Sequence, residues 1–365
     1  MNSLSPKYSR REFLKLGLLG VSALAFSPWS SLNEVPAQYP NGEKLGRNCV
    51  AGIVNLRTKP SANSTLIKAL YDDTIVVWLR EVVGEAPDGL LSRRWVETPD
   101  GYLYAPSIQP VKNLPNKPLT TLPQYKNMGQ GMWVEVTIPF VDVYLDNPPV
   151  SPWLKAVTRP RLYYSQVVWV DQVNTNSQGQ LLYRVNELYG SYGDTYWGAA
   201  EAFRPITDEE LTPIHPDAAD KQVVVDLNHQ TLSCMEGKDE VYFCRISSGA
   251  KFDASGKAVD NWATPIGPHP IWRKLISIHM SGGSTGNGYD TAGIGWTSLF
   301  AGEGMAVHST FWHNDFGVPR SHGCVNATPE DAKWVWRWTT PTVQIDPGDM
   351  TVQMPGGTIV NIVEG

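Results

Sequence analysis

The sequence predicts a mainly β protein: a larger C-terminal β domain with one short helix, preceded by one or two small β-barrels. Three observations carry this. Gly and Pro number 32 and 28 in 365 residues, a frequency that favours turns and short strands over long helices. Apolar runs are short, alternate with polar residues and are separated by turn residues. The 14 Trp and 15 Tyr are residue types that strands favour. A chain of 365 residues exceeds one average domain, and 42% apolar residues supply enough core to exclude overall disorder. The net charge of −6 and pI near 5.7 argue against nucleic-acid binding, which needs clustered Lys and Arg. Four Cys are too few for a disulfide scaffold.

Residues 1–30 read as an export address. Lys7, Arg10, Arg11 and Lys15 make a basic start, and the apolar stretch Leu16 to Phe26 is shorter than the ~20 residues of a membrane span. It fits the hydrophobic region of a signal peptide, with a small-x-small cleavage pattern at Ala23-Leu24-Ala25. Ser9-Arg10-Arg11-Glu12-Phe13-Leu14-Lys15 resembles the twin-arginine export consensus. The resemblance implies export in folded form to the periplasm or cell wall. If the segment is not cleaved, it is a membrane anchor.

Residues 44–113 alternate short strands and turns: Asn55 to Pro60, Ile75 to Trp78, Arg94 to Val96 and Asp100 to Tyr104. The opening Asn55-Leu56-Arg57-Thr58-Lys59-Pro60, with Trp95 and Asp100-Gly101 near the close, resembles bacterial Src-homology-3-like domains. That resemblance implies either a module for cell-wall peptide or a spacer. A Pro-rich linker follows over 114–130. Residues 131–208 read as a divergent second barrel, with strands around Val134, Val167 to Val170 and Leu182 to Val185.

The last segment, 221–363, begins with two strands around the turn Glu236-Gly237-Lys238-Asp239, a hairpin signal. Cys234 and Cys244 flank that turn out of register, so zero or one disulfide is expected. Met280 to Gly288 reads as a Gly/Ser-rich loop over a site. Thr328 can cap a helix whose first turn holds Pro329, with Asp331 reaching back and an end near Trp338. Thr342 to Ile345 and Ile359 to Ile362 are read as closing strands.

The chemistry gathers at His308, His322 and Cys324. Val307-His308-Ser309 reads as a strand end, and Phe316 to Arg320 as a turn returning the chain to Ser321-His322-Gly323-Cys324-Val325-Asn326. A thiol that transfers acyl groups needs a base within hydrogen-bond reach and donors aimed at the developing oxyanion. A neighbouring imidazolium would lower the thiol pKa from about 8.5. Gly323 has no Cβ to keep backbone N–H groups from the substrate carbonyl. Zinc is the competing use of three His and a Cys. However, the His322-Gly323-Cys324 spacing is tight, and no C-x-x-C or H-E-x-x-H accompanies it. A buried structural Cys would leave the Ser-His-Gly-Cys string without a role.

His308, followed after a loop by Ser321-His322-Gly323-Cys324-Val325-Asn326, resembles the signature of L,D-transpeptidases, bacterial enzymes that cross-link the cell wall. Thr264-Pro265-Ile266-Gly267 is similar to the family's T-P-x-G turn, and Asp331-Ala332 to the start of its following helix. Papain-like enzymes place Cys before His, and sortases separate the two much further. The resemblance implies a sandwich-like β domain with Cys324 as nucleophile and His308 as proton donor and acceptor. It implies that Ser309 orients the imidazole and that His322 and Gly323 shape the oxyanion region. Ser321, Asn326, Met280 and Tyr289 are the implied substrate contacts. The implied substrate is a peptidoglycan stem peptide, joined in a 3→3 cross-link or to another amine. Carbapenem-type β-lactams are the implied covalent inhibitors, and no metal or organic cofactor is required. Resolution of the same thioester by water, as in an L,D-carboxypeptidase, and a non-catalytic wall-binding protein are the alternatives.

Overall fold

A computed structural model describes residues 39–252, 257, 259, 262–282 and 289–365, with the side chain of Glu303 excepted. The expected export segment, 1–30, lies outside the described residues, as does 283–288. No helix among the described residues is long and apolar enough to cross a membrane. The chain divides into two units, 1–39 and 40–365.

Residues 45–111 form two small sheets. Leu45–Asn48 pairs antiparallel with both Ile75–Val77 and Ile108–Val111. Leu66–Leu70, Val54–Arg57, Gly101–Tyr104, Arg94–Thr98 and Arg80–Val83 follow one another across a five-stranded sheet. Alternation decides which face is buried: Val54 and Leu56 enter a core with Leu70, Trp78, Val96, Leu103 and Ile108, while Asn55 between them is exposed.

Residues 132–205 build a seven-stranded sheet in which Val167–Thr175 pairs with both Met132–Val136 and Leu181–Asn186. The unbroken apolar run Val167-Val168-Trp169-Val170 is buried on both faces. Val168 and Val170 belong to this module's own core, whereas Val167 and Trp169 join Trp133 in the core of the C-terminal domain. A run with no polar alternation is what two-sided burial requires. The junction is also hydrogen-bonded. Trp133 Nε1 donates to Ile345 O at 3.1 Å, and Gln166 Nε2 donates to Ala292 O at 2.6 Å. Gly348 (φ +75°) faces that indole, and a Cβ there would stand 2.6 Å from Trp133 Nε1.

The C-terminal domain is a two-sheet sandwich. The first sheet holds β1 (Lys221–Asp226), β2 (Thr231–Glu236), β3 (Asp239–Arg245), β4 (Gly267–Pro270) and, after the elements below, β10 (Ile359–Val363), in the order β3-β2-β1-β10-β4. The second holds β5 (Arg273–Gly282), β6 (Tyr289–Leu299), β7 (Ala306–Ser309), β8 (Val325–Ala327) and β9 (Asp349–Thr351), in the order β8-β7-β6-β5-β9. Gly237 at φ +63° makes the predicted β2–β3 turn. Cys234 and Cys244 are both free and buried, and their opposite partners are Tyr242 and Leu232 rather than each other.

Helix α1 (Pro329–Trp338) starts where its cap predicts. Thr328 Oγ1 accepts from Asp331 N at 3.2 Å, and Asp331 reaches back to the Thr328 hydroxyl at 2.7 Å. Its Ala332, Val335 and Trp336 fill the core between the sheets. Lys274, 1% exposed, donates to the helix-end carbonyls of Trp336 and Thr339, so that its ammonium meets the negative end of the helix. Thr342 to Ile345 is not a strand. Pro341 and Pro347 flank it and withhold ladder donors, so Val343 and Ile345 fill the core as irregular chain, and the edge strand forms at β9 instead.

Candidate active site

Strands β7 and β8 run parallel, pairing Val307 with Val325, His308 with Asn326 and Ser309 with Ala327. Val307, Val325 and Ala327 point into the main core. The period of two therefore sends Ala306 and His308 from β7, and Cys324 and Asn326 from β8 and its entry, to the opposite face. The floor of that face is a second apolar cluster of Leu275, Met280, Ile294, Leu299 and Ala306, with Tyr289 and Trp312 packed on it.

His308 is 2% exposed, and its Nδ1 lies 2.9 Å from the carbonyl oxygen of Ser309. A carbonyl only accepts, so Nδ1 carries the proton and Nε2 keeps its lone pair. Burial holds the imidazole pKa down at about 4, against the opposing pull of that hydrogen bond. Burial likewise pushes the Cys324 thiol up to about 11, a backbone hydrogen bond from Ala306 opposing it. The thiol donates weakly to Gly304 O at 3.9 Å. Burial thus favours the neutral thiol and the neutral imidazole over the thiolate and imidazolium expected from the sequence. The low-polarity floor disfavours both charges.

The Ser321–Cys324 turn is closed from within. Ser321 Oγ donates to Cys324 O at 2.6 Å and accepts from Gly323 N at 3.0 Å. The one hydroxyl proton of Ser321 is therefore committed to the turn and is not offered to a substrate. The N–H of Gly323 is likewise taken. Gly323 instead supplies conformation: its φ is +113°, and a Cβ would stand 3.0 Å from the Met305 Cε. Thr264, from the T-P-x-G turn, donates through Oγ1 to Gly323 O at 3.0 Å and accepts from Gly249 N at 2.9 Å. Ser247 and Asn326 exchange backbone hydrogen bonds, fastening the turn to the strand-like segment after β3.

The other expected residues are placed as follows. His322 lies between two rings, its centroid 4.0 Å from that of Trp262 and 5.2 Å from that of Tyr289. Tyr289 opens β6 opposite Gly282, and its phenol pKa is raised by burial and by the neighbouring Cys324. Met280 differs from expectation. It belongs to β5, is 9% exposed and packs in the floor, because the strand pairing runs on to Gly282. Asn326 is 2% exposed, with its side-chain nitrogen 3.0 Å from His313 Nε2 and its Oδ1 unpartnered. Among the described residues, no group of three or more His, Cys, Asp or Glu is placed to hold a metal ion.

Sequence reasoning missed Trp262 and Trp312. Trp312 stands with its ring centroid 5.8 Å from that of His308. With 14 Trp in the chain, nothing local marks these two. The only available signal was that Trp312 follows His308 by four residues, inside the turn that returns to Cys324.

Residues 220–362 match the model of the YkuD family, the L,D-transpeptidase catalytic domain. No curated protein matches the chain. Among solved structures, an L,D-transpeptidase from Xylanimonas cellulosilytica is 25% identical, with 44% of this chain and 65% of that one covered and a TM-score of 0.27. A mutant L,D-transpeptidase from Enterococcus faecium is 21% identical, with 44% and 56% covered and a TM-score of 0.30. L,D-transpeptidase 3 from Mycobacterium tuberculosis, in complex with a faropenem-derived adduct, is 16% identical, with 55% and 91% covered and a TM-score of 0.30. The chain thus spans 65% and 56% of the first two, less than two thirds of each. Over residues 220–362 this protein is similar to the YkuD family, the L,D-transpeptidase catalytic domain.

Proposed function

We propose that the protein is an exported L,D-transpeptidase that forms 3→3 peptidoglycan cross-links through a thioester on Cys324. One observation carries the reading. Cys324 and His308 share one face of paired parallel strands, with Nδ1 of His308 on Ser309 O and Nε2 left as a proton acceptor.

The steps follow from the neutral pair. Nε2 of His308 takes the thiol proton as Sγ attacks the carbonyl carbon of the third stem residue. The imidazolium then gives that proton to the departing D-Ala amine as the C–N bond breaks, leaving the thioester. The side-chain amine of a second stem attacks the thioester carbon, His308 accepts its proton, and the thiol is released with the proton restored. Charge exists only transiently, so the dry floor does not have to hold a resting ion pair. Ser309 acts through its carbonyl, fixing the tautomer. Gly323 shapes the turn behind the sulfur. His322, Tyr289, Trp262 and Trp312 make an aromatic surround that limits water. Asn326, 2% exposed with its side-chain nitrogen against His313 Nε2, stiffens this face. Carbapenems enter as acyl donors whose leaving group stays attached, and export through the twin-arginine route would place the enzyme where its substrate is.

The test is incubation with disaccharide-tetrapeptides and mass analysis of the products. Dimers lacking one D-Ala, absent with Cys324→Ala, are expected. Tripeptide monomers alone would make the enzyme a carboxypeptidase, and unchanged substrate would contradict the reading.

A further inference from the structure

We infer that the first β module, residues 45–111, is a working part of the active site and that Arg47 within it is a positioning residue for acylation. The inference rests on the reading of Cys324 and His308 given above. The sequence suggested a module for wall peptide or a spacer, and either needs only a linker. The structure adds a buried ionic joint to the linker.

Arg47 is 3% exposed, and a buried guanidinium is tolerated only when its hydrogens and charge are answered. All three of its nitrogens are used. Nε donates to Gln109 Oε1 at 2.9 Å, Nη1 to Asp73 Oδ1 at 2.7 Å and Nη2 to the carbonyl of Phe311 at 3.0 Å. Its face lies 4.0 Å from the Tyr163 ring of the second module, which also stacks on Phe311 at 5.8 Å. Asp73 passes the charge on to Arg161 at 2.8 Å, and Arg161 to Asp142 at 2.7 Å. Both modules and the C-terminal domain therefore meet at Phe311.

Three residues further on, the first module grips the same segment again. Asn314 N donates to Pro106 O at 3.0 Å, Asn314 Nδ2 donates to Ala105 O at 3.2 Å, and Arg94 Nη1 donates to Asn314 O at 3.1 Å. Between these two holds stand Trp312, whose ring flanks His308, and His313, whose Nε2 meets the Asn326 side chain. The chain from Thr310 to Asn314 leaves β7 without strand partners. Contacts from the first module thus hold both ends of this segment against the site. Trp312 stands beside the buried imidazole, so a shift of this segment would open a path for water to His308 and move the proton acceptor relative to the thiol. Displacements of about 1 Å can cost about 100-fold in rate.

The experiment measures the rate of carbapenem acylation of the full chain by intact mass across pH, together with cooperative thermal melting. Wild type is compared with Arg47→Ala, Arg94→Ala and, as a control, Arg80→Ala, whose exposed side chain pairs with Glu97. Arg47→Ala is expected to slow acylation about 100-fold and to move the acid limb of the profile upward as His308 is hydrated, which a loss of fold stability alone would not do. Arg94→Ala should slow it about fivefold, the effect of one hydrogen bond, and Arg80→Ala should leave it unchanged. A cooperatively melting Arg47→Ala with the wild-type rate and acid limb overturns the inference. If that variant does not melt cooperatively, a wild-type rate for Arg94→Ala overturns it instead. An unreactive wild type would remove the catalytic reading itself, and this inference with it.

Discussion

The imidazole of His308 is tied by Nδ1 to the carbonyl oxygen of its own neighbour, Ser309, at 2.9 Å. A histidine held this way keeps its proton on Nδ1 and cannot exchange tautomers without losing a buried hydrogen bond. The orienting group comes from the backbone of β7, so any side chain at position 309 that β7 tolerates would serve.

The neutral pair predicts a spectroscopic result. Absorbance near 240 nm, wild type minus Cys324→Ala, should show no thiolate at pH 7 and should rise only on the alkaline side, toward the raised thiol pKa of about 11. A thiolate signal present at pH 6 would mean a preformed ion pair.

Gly323→Ala should leave the fold intact but slow acylation at least tenfold. The alanine would have to adopt a φ of +113° and its Cβ would push against Met305, a local strain of about 1–3 kcal/mol on the turn behind Cys324. Thermal melting reports the first outcome and adduct formation the second. An unimpaired rate would show that the turn does not position Cys324.

Stability should fall as pH drops from about 6.5 toward 4. His308 and His313 are buried with pKa values depressed to about 4 and about 3, chiefly by desolvation. Over that window the unfolded chain binds protons that the native state refuses, at up to about 1.4 kcal/mol per pH unit for each group. His279 works in a different window. Its Nδ1 and Nε2 meet Glu187 at 2.7 Å and Asp290 at 2.5 Å, and these carboxylates raise its pKa against the opposing effect of burial. Its contribution is complete below about 6.5 and is lost as pH rises through the raised value. Urea titrations at pH 4.5, 5.5 and 6.5 should show the decline, and a flat profile would contradict the burial of neutral His308 and His313.

The fold class, the hairpin at Gly237, helix α1 with its Thr328 cap, and the strand at Ile359 were legible because each rests on local chemistry: a left-handed glycine, a capping hydroxyl, a period of two. The strand expected at Thr342 was not, because burial of Val343 and Ile345 is shared by strands and by irregular core chain, and the flanking prolines decide between them. The shared core of the second module and the C-terminal domain was hidden for a related reason. A continuous run such as Val167 to Val170 announces two buried faces but not what covers the second. At the site, Cys324 and His308 stand out by motif. The charge state of the pair, the committed hydroxyl of Ser321, and the grip of Arg47 on Phe311 depend on residues as far apart in the chain as 47 and 311. No spacing rule reaches that far.

The most direct test of the central claim is intact-protein mass after incubation with a carbapenem, for wild type, Cys324→Ala and His308→Ala. The account predicts a stable adduct of one carbapenem on wild type and none on either variant within the same time. No adduct on folded, reduced wild type, or an adduct that persists when Cys324 is replaced, would contradict it.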